Sequence, residues 1–94
     1  MDPKEELLRK VSNYYDEQGL LIRYPSKKPL RQPILSKMAE NFLFGRDYTE
    51  KEVNAVIQAH IAFSDIELIR RELIEGQYLA RLRDGSKYWR TETK

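Results

Sequence analysis

The chain has 94 residues, 40% apolar and 34% charged, with a formal net charge of +2. That length and composition suit one globular domain with a modest core. With no cysteine, disulfides, thiolate metal sites and a cysteine nucleophile are excluded, and no apolar run is long enough for a membrane helix.

The start, Met1-Asp2-Pro3-Lys4-Glu5-Glu6, is polar and has no signal-peptide pattern, so a cytoplasmic location is expected. Asp2-Pro3 is a good helix start, an aspartate cap before a proline. Leu7, Leu8, Val11, Tyr14 and Tyr15 then recur at helical spacing, which predicts a helix over 3–17 with Gly19 as its stop. Leu20 to Tyr24 is short and β-prone, and Pro25 ends it, which reads as an edge strand. Ser26 to Pro29 is a basic loop. Leu30, Ile34, Leu35, Met38, Ala39 and Phe42 predict a second helix over 31–43, with Pro33 in its first turn. Phe44 to Asp47 is a turn.

The most informative segment follows. Thr49-Glu50-Lys51-Glu52 is a capping box, and Ser64-Asp65-Ile66-Glu67 reads as a second one. Two such signals fifteen residues apart predict short helices over 50–60 and 65–75 with a break between them. Asp84-Gly85 lies between two strand-like runs, which predicts a hairpin over 78–90. Helix, turn, helix and hairpin is the winged-helix plan. The expected fold is therefore α+β, winged helix-turn-helix-like, with four helices and a C-terminal β-hairpin. Its divisions are an N-terminal amphipathic helix over 1–19, the winged-helix-like domain over 20–90 and a loose tail over 91–94. The expected core is Leu35, Met38, Phe42, Val53, Ile57, Ile66, Ile69, Leu73 and Leu79.

Several separated blocks resemble the signature of a bacterial family catalogued as domain of unknown function 2087. They are Tyr48-Thr49-Glu50-Lys51-Glu52-Val53-Asn54, Leu68-Ile69-Arg70-Arg71-Glu72-Leu73-Ile74, Arg83-Asp84-Gly85 and Tyr88-Trp89-Arg90. Asp16-Glu17-Gln18-Gly19-Leu20 and Tyr24-Pro25-Ser26-Lys27 resemble the lead-in. The resemblance covers about Tyr14 to Arg90. It implies a winged-helix-like transcriptional regulator and supplies no catalytic residue and no ligand. Two positions depart from the family pattern. Its helix-stopping glycine usually comes one residue after Gly76, and an arginine usually stands where this chain has Leu20.

Charge is unevenly spread. Residues 49–75 carry net −3, residues 76–94 net +3, and Arg23 to Lys37 holds five bases and no acid. The fourth helix would face DNA with Glu67, Leu68, Arg71, Glu72 and Glu75, a poor match to phosphates. Arg70 and Arg71 also have helical-spacing salt bridges open to them. The expected DNA contacts are Lys27, Lys28, Arg31, Arg71, Arg81, Arg83, Lys87 and Arg90. For the hairpin bases, the other reading is protection of a strand edge. For Tyr88 and Trp89, one faces the core and the other the surface. His60 reads as a helix-end residue and Asn54 as a buried hydrogen-bonding group. No metal, cofactor or catalytic frame is expected, so neither is an enzyme. The expected partner is duplex DNA. The alternative is a protein partner or a homodimer, engaged through the acidic helix 65–75 or the N-terminal helix.

Overall fold

The structure, a computed structural model, describes residues 2–91. Its elements run α1 (Pro3–Ser12), α2 (Lys28–Ala39), β1 (Asp47–Tyr48), α3 (Glu50–Gln58), α4 (Ile66–Glu75), β2 (Leu79–Arg81) and β3 (Tyr88–Arg90). Four helices and an antiparallel sheet agree with the expected α+β class. The sheet has three strands in the order β1-β3-β2, not the two of a simple hairpin.

α1 stops five residues short of the expected helix. Ser12 Oγ donates to the Arg9 carbonyl at 2.6 Å, and the amides of Asn13, Tyr14 and Tyr15 each reach back only three residues. A hydroxyl bonding its own backbone competes with helix continuation. Tyr15 instead forms an antiparallel bridge to Leu21, which forms a parallel bridge to Ile61. The Leu20–Tyr24 run is thus no edge strand. It is reduced to Leu21, held between two neighbours, with its amide on the His60 carbonyl (2.9 Å) and its carbonyl on the Ala62 amide (2.8 Å).

α2 begins and ends earlier than 31–43. Pro29, not Pro33, takes the first turn, where a missing N–H costs nothing, and Pro33 lies inside the helix. Beyond Ala39 the amides of Asn41 and Phe42 reach back three residues, closing the helix with tighter turns.

The Thr49 capping box is fully formed: Glu52 N donates to Thr49 Oγ1 at 3.1 Å, and Thr49 N to Glu52 Oε1 at 2.9 Å. The second box is different. Asp65, not Ser64, caps α4, accepting from Leu68 N at 3.1 Å. The Asp84-Gly85 pair sits in a four-residue loop closed by the bond from Leu82 N to the Lys87 carbonyl. Asp84 Oδ1 there accepts from both Ser86 N and Ser86 Oγ, which holds its carboxyl below the usual range.

The core gathers Leu35, Met38, Phe42, Val53, Ile57, Ile69, Leu73 and Leu79 as expected. Ile66 is a correction: it is only partly buried, packed against the core from the first turn of α4. Leu21, Ile34, Tyr48, Ile61 and Tyr88 are also buried. Tyr88 faces inward while Trp89 stays partly exposed, as adjacent strand positions require. Thr91 is not part of a loose tail, since its amide donates to the Tyr78 carbonyl at 3.1 Å. Residues 92–94 of the expected tail lie outside the described residues.

α4 ends with two bonds that reach back over the cap, Tyr78 N to Leu73 O (2.9 Å) and Gln77 N to Ile74 O (3.0 Å). This pattern needs a left-handed residue after the cap, usually glycine. Here Gln77 fills it at φ 65°, while Gly76 is ordinary helix at φ −80°. A Cβ on Gly76 would lie 3.0 Å from the Tyr78 ring, so close packing claims the glycine. Gln77→Gly should therefore raise stability by about 1 kcal/mol, by removing left-handed strain. A urea midpoint that fails to rise would refute this.

Candidate nucleic-acid interface

Burial of Ile69 and Leu73 at 0% exposure fixes how α4 is rotated. Its outward row is then Glu67, Arg71 and Glu75, four residues apart and all exposed. Leu68 and Glu72, expected on that row, are only half-exposed. Glu72 is turned toward the N-terminal half of the chain. Its carboxylate accepts from Tyr24 Oη at 2.8 Å and lies 3.7 Å from Arg31 Nη1. Burial first, and then this carboxylate, push the Tyr24 hydroxyl pKa well up.

Arg70 is also engaged. It donates to Asn54 Oδ1 at 2.5 Å and lies 3.7 Å from Glu50 and from Glu67. Asn54 is a hydrogen-bonding residue as expected, but it is only partly buried, not buried. Glu50 in turn accepts from Tyr88 Oη at 3.1 Å. Burial and this bond raise the Tyr88 pKa, while the positive charges of Arg70 and Arg81 oppose the rise. Glu52 is held by its cap and by Arg46 at 3.1 Å, and its pKa is lowered chiefly by the Thr49 amide. Two carboxylates of this segment are thus matched by cations from outside it, Glu52 by Arg46 and Glu72 by Arg31, while Glu50 meets Arg70 within it. Glu67 and Glu75 are the carboxylates of α4 left on the outer row.

The expected contact residues separate into two groups. Lys27, Lys28, Arg71, Arg81 and Arg83 are exposed, with no side-chain hydrogen bond or ion pair among the described residues. Arg31, Lys87 and Arg90 have other roles. Arg31 donates to the carbonyls of Pro25 and Ser26, both at 3.0 Å, and stacks on Tyr24. Lys87 pairs with Asp47 at 3.6 Å and lies over Trp89. Arg90 donates to the Phe42 carbonyl at 3.1 Å and covers Phe44.

The strand register adds a further separation. Arg81 pairs with Tyr88 on the inward face of the sheet, so Lys87, next to Tyr88, belongs to the opposite face with Trp89. The hairpin bases therefore do not form one surface. Arg81 reaches back to the loop, with Nη1 3.5 Å from where a Gly85 Cβ would stand. Two basic zones result. Arg81 pairs with Tyr88, whose hydroxyl meets Glu50 beside Arg70 in the N-terminal half of α4, and Arg83 follows it in the exposed loop. Lys27 and Lys28 lead into α2 next to Arg31, which meets the C-terminal half of α4 at Glu72.

A groove of about 880 Å³ opens elsewhere, lined by Leu7, Gln32, Pro33, Gln77 and the edge of β2. The bonds Leu82–Lys87 and Tyr78–Thr91 set the ladder alternation. By that alternation the backbone groups of Leu79 and Arg81 point away from β3, along the outer edge of β2. His60 Nδ1 donates to the Val56 carbonyl at 2.7 Å, closing the end of α3. Among the described residues, no group of three or more His, Cys, Asp or Glu could hold a metal ion, and no helix is long and apolar enough to cross a membrane.

Residues 20–90 match the model of a family described as an uncharacterized protein conserved in bacteria, DUF2087. No curated protein and no solved structure matches the chain.

Proposed function

The chain belongs to the DUF2087 family, and we propose that it is a winged-helix, DNA-associated regulatory module of the bacterial cytoplasm. In this reading α2, α3 and α4 are the three-helix unit, α4 is the recognition helix, and residues 82–87 are the wing. The element order and the β1-β3-β2 pairing support it. One observation carries it. The acids of α3 and α4 are largely consumed by internal caps and cations, and unpaired bases flank both halves of α4. Lys27, Lys28, Arg81 and Arg83 then meet phosphates, which position the duplex without reading its sequence.

Titration of the protein against duplex DNA across a salt series tests this. Four phosphate contacts predict a slope of about −3.6 in log affinity against log salt. Absence of binding at micromolar protein in low salt would refute it. The chain would then be read as a protein-interaction module. The open edge of β2, facing the groove beside α1, favours that second reading.

A further inference from the structure

We infer that Glu67 and Arg71 form a base-reading pair, giving the domain a preference for duplexes with cytosine and guanine about two positions apart. The inference rests on the DNA-binding reading above and goes beyond it, because phosphate contacts alone confer no sequence preference.

The geometry of α4 selects the pair by removing the other candidates. Ile69 and Leu73 are in the core. Arg70 is held by Asn54, Glu50 and Glu67, and Glu72 by Tyr24 and Arg31. Leu68 and Ile74 are half-buried. Glu67, Arg71 and Glu75 remain, in one row along the helix. Successive members are about 6 Å apart along the axis. That is about two base-pair steps of about 3.4 Å each. Residues in the N-terminal part of a recognition helix reach the base edges, which favours Glu67 in the first turn and its neighbour Arg71 at mid-helix over Glu75 in the last turn.

Chemistry then fixes the bases. A guanidinium only donates, and guanine presents two adjacent acceptors, O6 and N7, in the major groove. Adenine places a donor beside its N7, so it satisfies Arg71 less well. An ionised carboxylate only accepts, and cytosine offers its N4 amino group. Thymine offers an acceptor and a methyl group, which would leave Glu67 desolvated and unpaired. The exposed Glu67, loosely held by Arg70 at 3.7 Å, has its lone pairs free for such a donor. The acidic charge that opposes phosphates on this helix thus becomes a filter, tolerated only where a cytosine amino group meets it.

The test is selection of bound duplexes from a random library, followed by titration of the best site and its G·C-to-A·T variant. The expected result is enrichment of guanine with cytosine about two positions away. The unsubstituted protein should lose about tenfold or more on the variant site. Arg71→Ala should lose that discrimination with its salt slope unchanged. Glu67→Gln should move the cytosine preference toward adenine, which glutamine pairs well. Binding without enrichment would overturn this inference alone, as would discrimination retained by Arg71→Ala. An Arg71→Ala salt slope reduced by about one would do the same, by placing Arg71 on a phosphate. Failure to bind any duplex would overturn the DNA reading, and this inference with it.

Discussion

Phe42→Ala should lower the free energy of unfolding by about 3–5 kcal/mol, the range for emptying an aromatic core site. Phe42 has no exposed surface and meets the Tyr48 ring edge-on, with centroids 5.2 Å apart. It also stands where three elements meet. It follows α2, its ring contacts β1, and its carbonyl accepts from Arg90 of β3 at 3.1 Å. Tyr48 Oη accepts from the Leu43 amide at 2.9 Å, so loss of the ring also loosens the turn into β1. Against a total stability of about 5–15 kcal/mol, this loss would leave the domain near its unfolding threshold. Leu43→Ala, next in the chain but 62% exposed, should shift stability by no more than about 0.5 kcal/mol. Urea midpoints for the two variants decide the matter, and equal midpoints would remove Phe42 from its central position.

The largest expected effect on binding is that of Arg81→Ala with Arg83→Ala. Each contact with a phosphate contributes about −0.9 to the salt slope, so the double variant should halve it, from about −3.6 to about −1.8. Affinity should fall for every duplex alike, because phosphate contacts are blind to sequence. Glu75→Gln should act in the opposite direction, removing a carboxylate from the outer row of α4. A double variant that keeps the full slope would show that the β2–β3 hairpin stays away from the DNA backbone. Lys87→Ala is the matching control. Its side chain lies on the other face of the hairpin, paired with Asp47, so the slope should not move.

Where structure depends on neighbours in sequence, it was legible. The Thr49 box, the helices that follow, the Asp84-Gly85 loop and the stripe of Ile69 and Leu73 all rest on contacts a few residues apart. Where it depends on distant partners, it was not. β1 is two residues long, too short to show any alternation, and exists because β3 pairs with it. Leu21 looks like part of an edge strand until Ile61, forty residues on, bridges it. Two prolines competed for the start of α2, and local pattern favoured the wrong one. The site shows the same division. A helical wheel puts Glu72 on the outward face of α4, and only Tyr24, 48 residues earlier, decides that it turns inward. Arg31 likewise reads as a surface base until the carbonyls of Pro25 and Ser26 are brought to it. The missed signal was the aromatic beside each base. Tyr24 with Arg31 and Trp89 with Lys87 mark cations that the fold itself uses.

The triple pairing of Tyr15, Leu21 and Ile61 bears on where this domain can be cut. The family match begins at residue 20, after Tyr14 and Tyr15. Yet the Tyr14 carbonyl accepts from Ile22 N at 2.8 Å, and Asp16 N donates to the Leu20 carbonyl at 2.9 Å. A fragment trimmed to the matched region would strip one side from Leu21 and bare a backbone edge that is now covered. It would also uncover the flank of α2 on which α1 rests. The boundary drawn by sequence likeness is thus not a folding boundary, and residues 2–19 act as an integral brace for the fold.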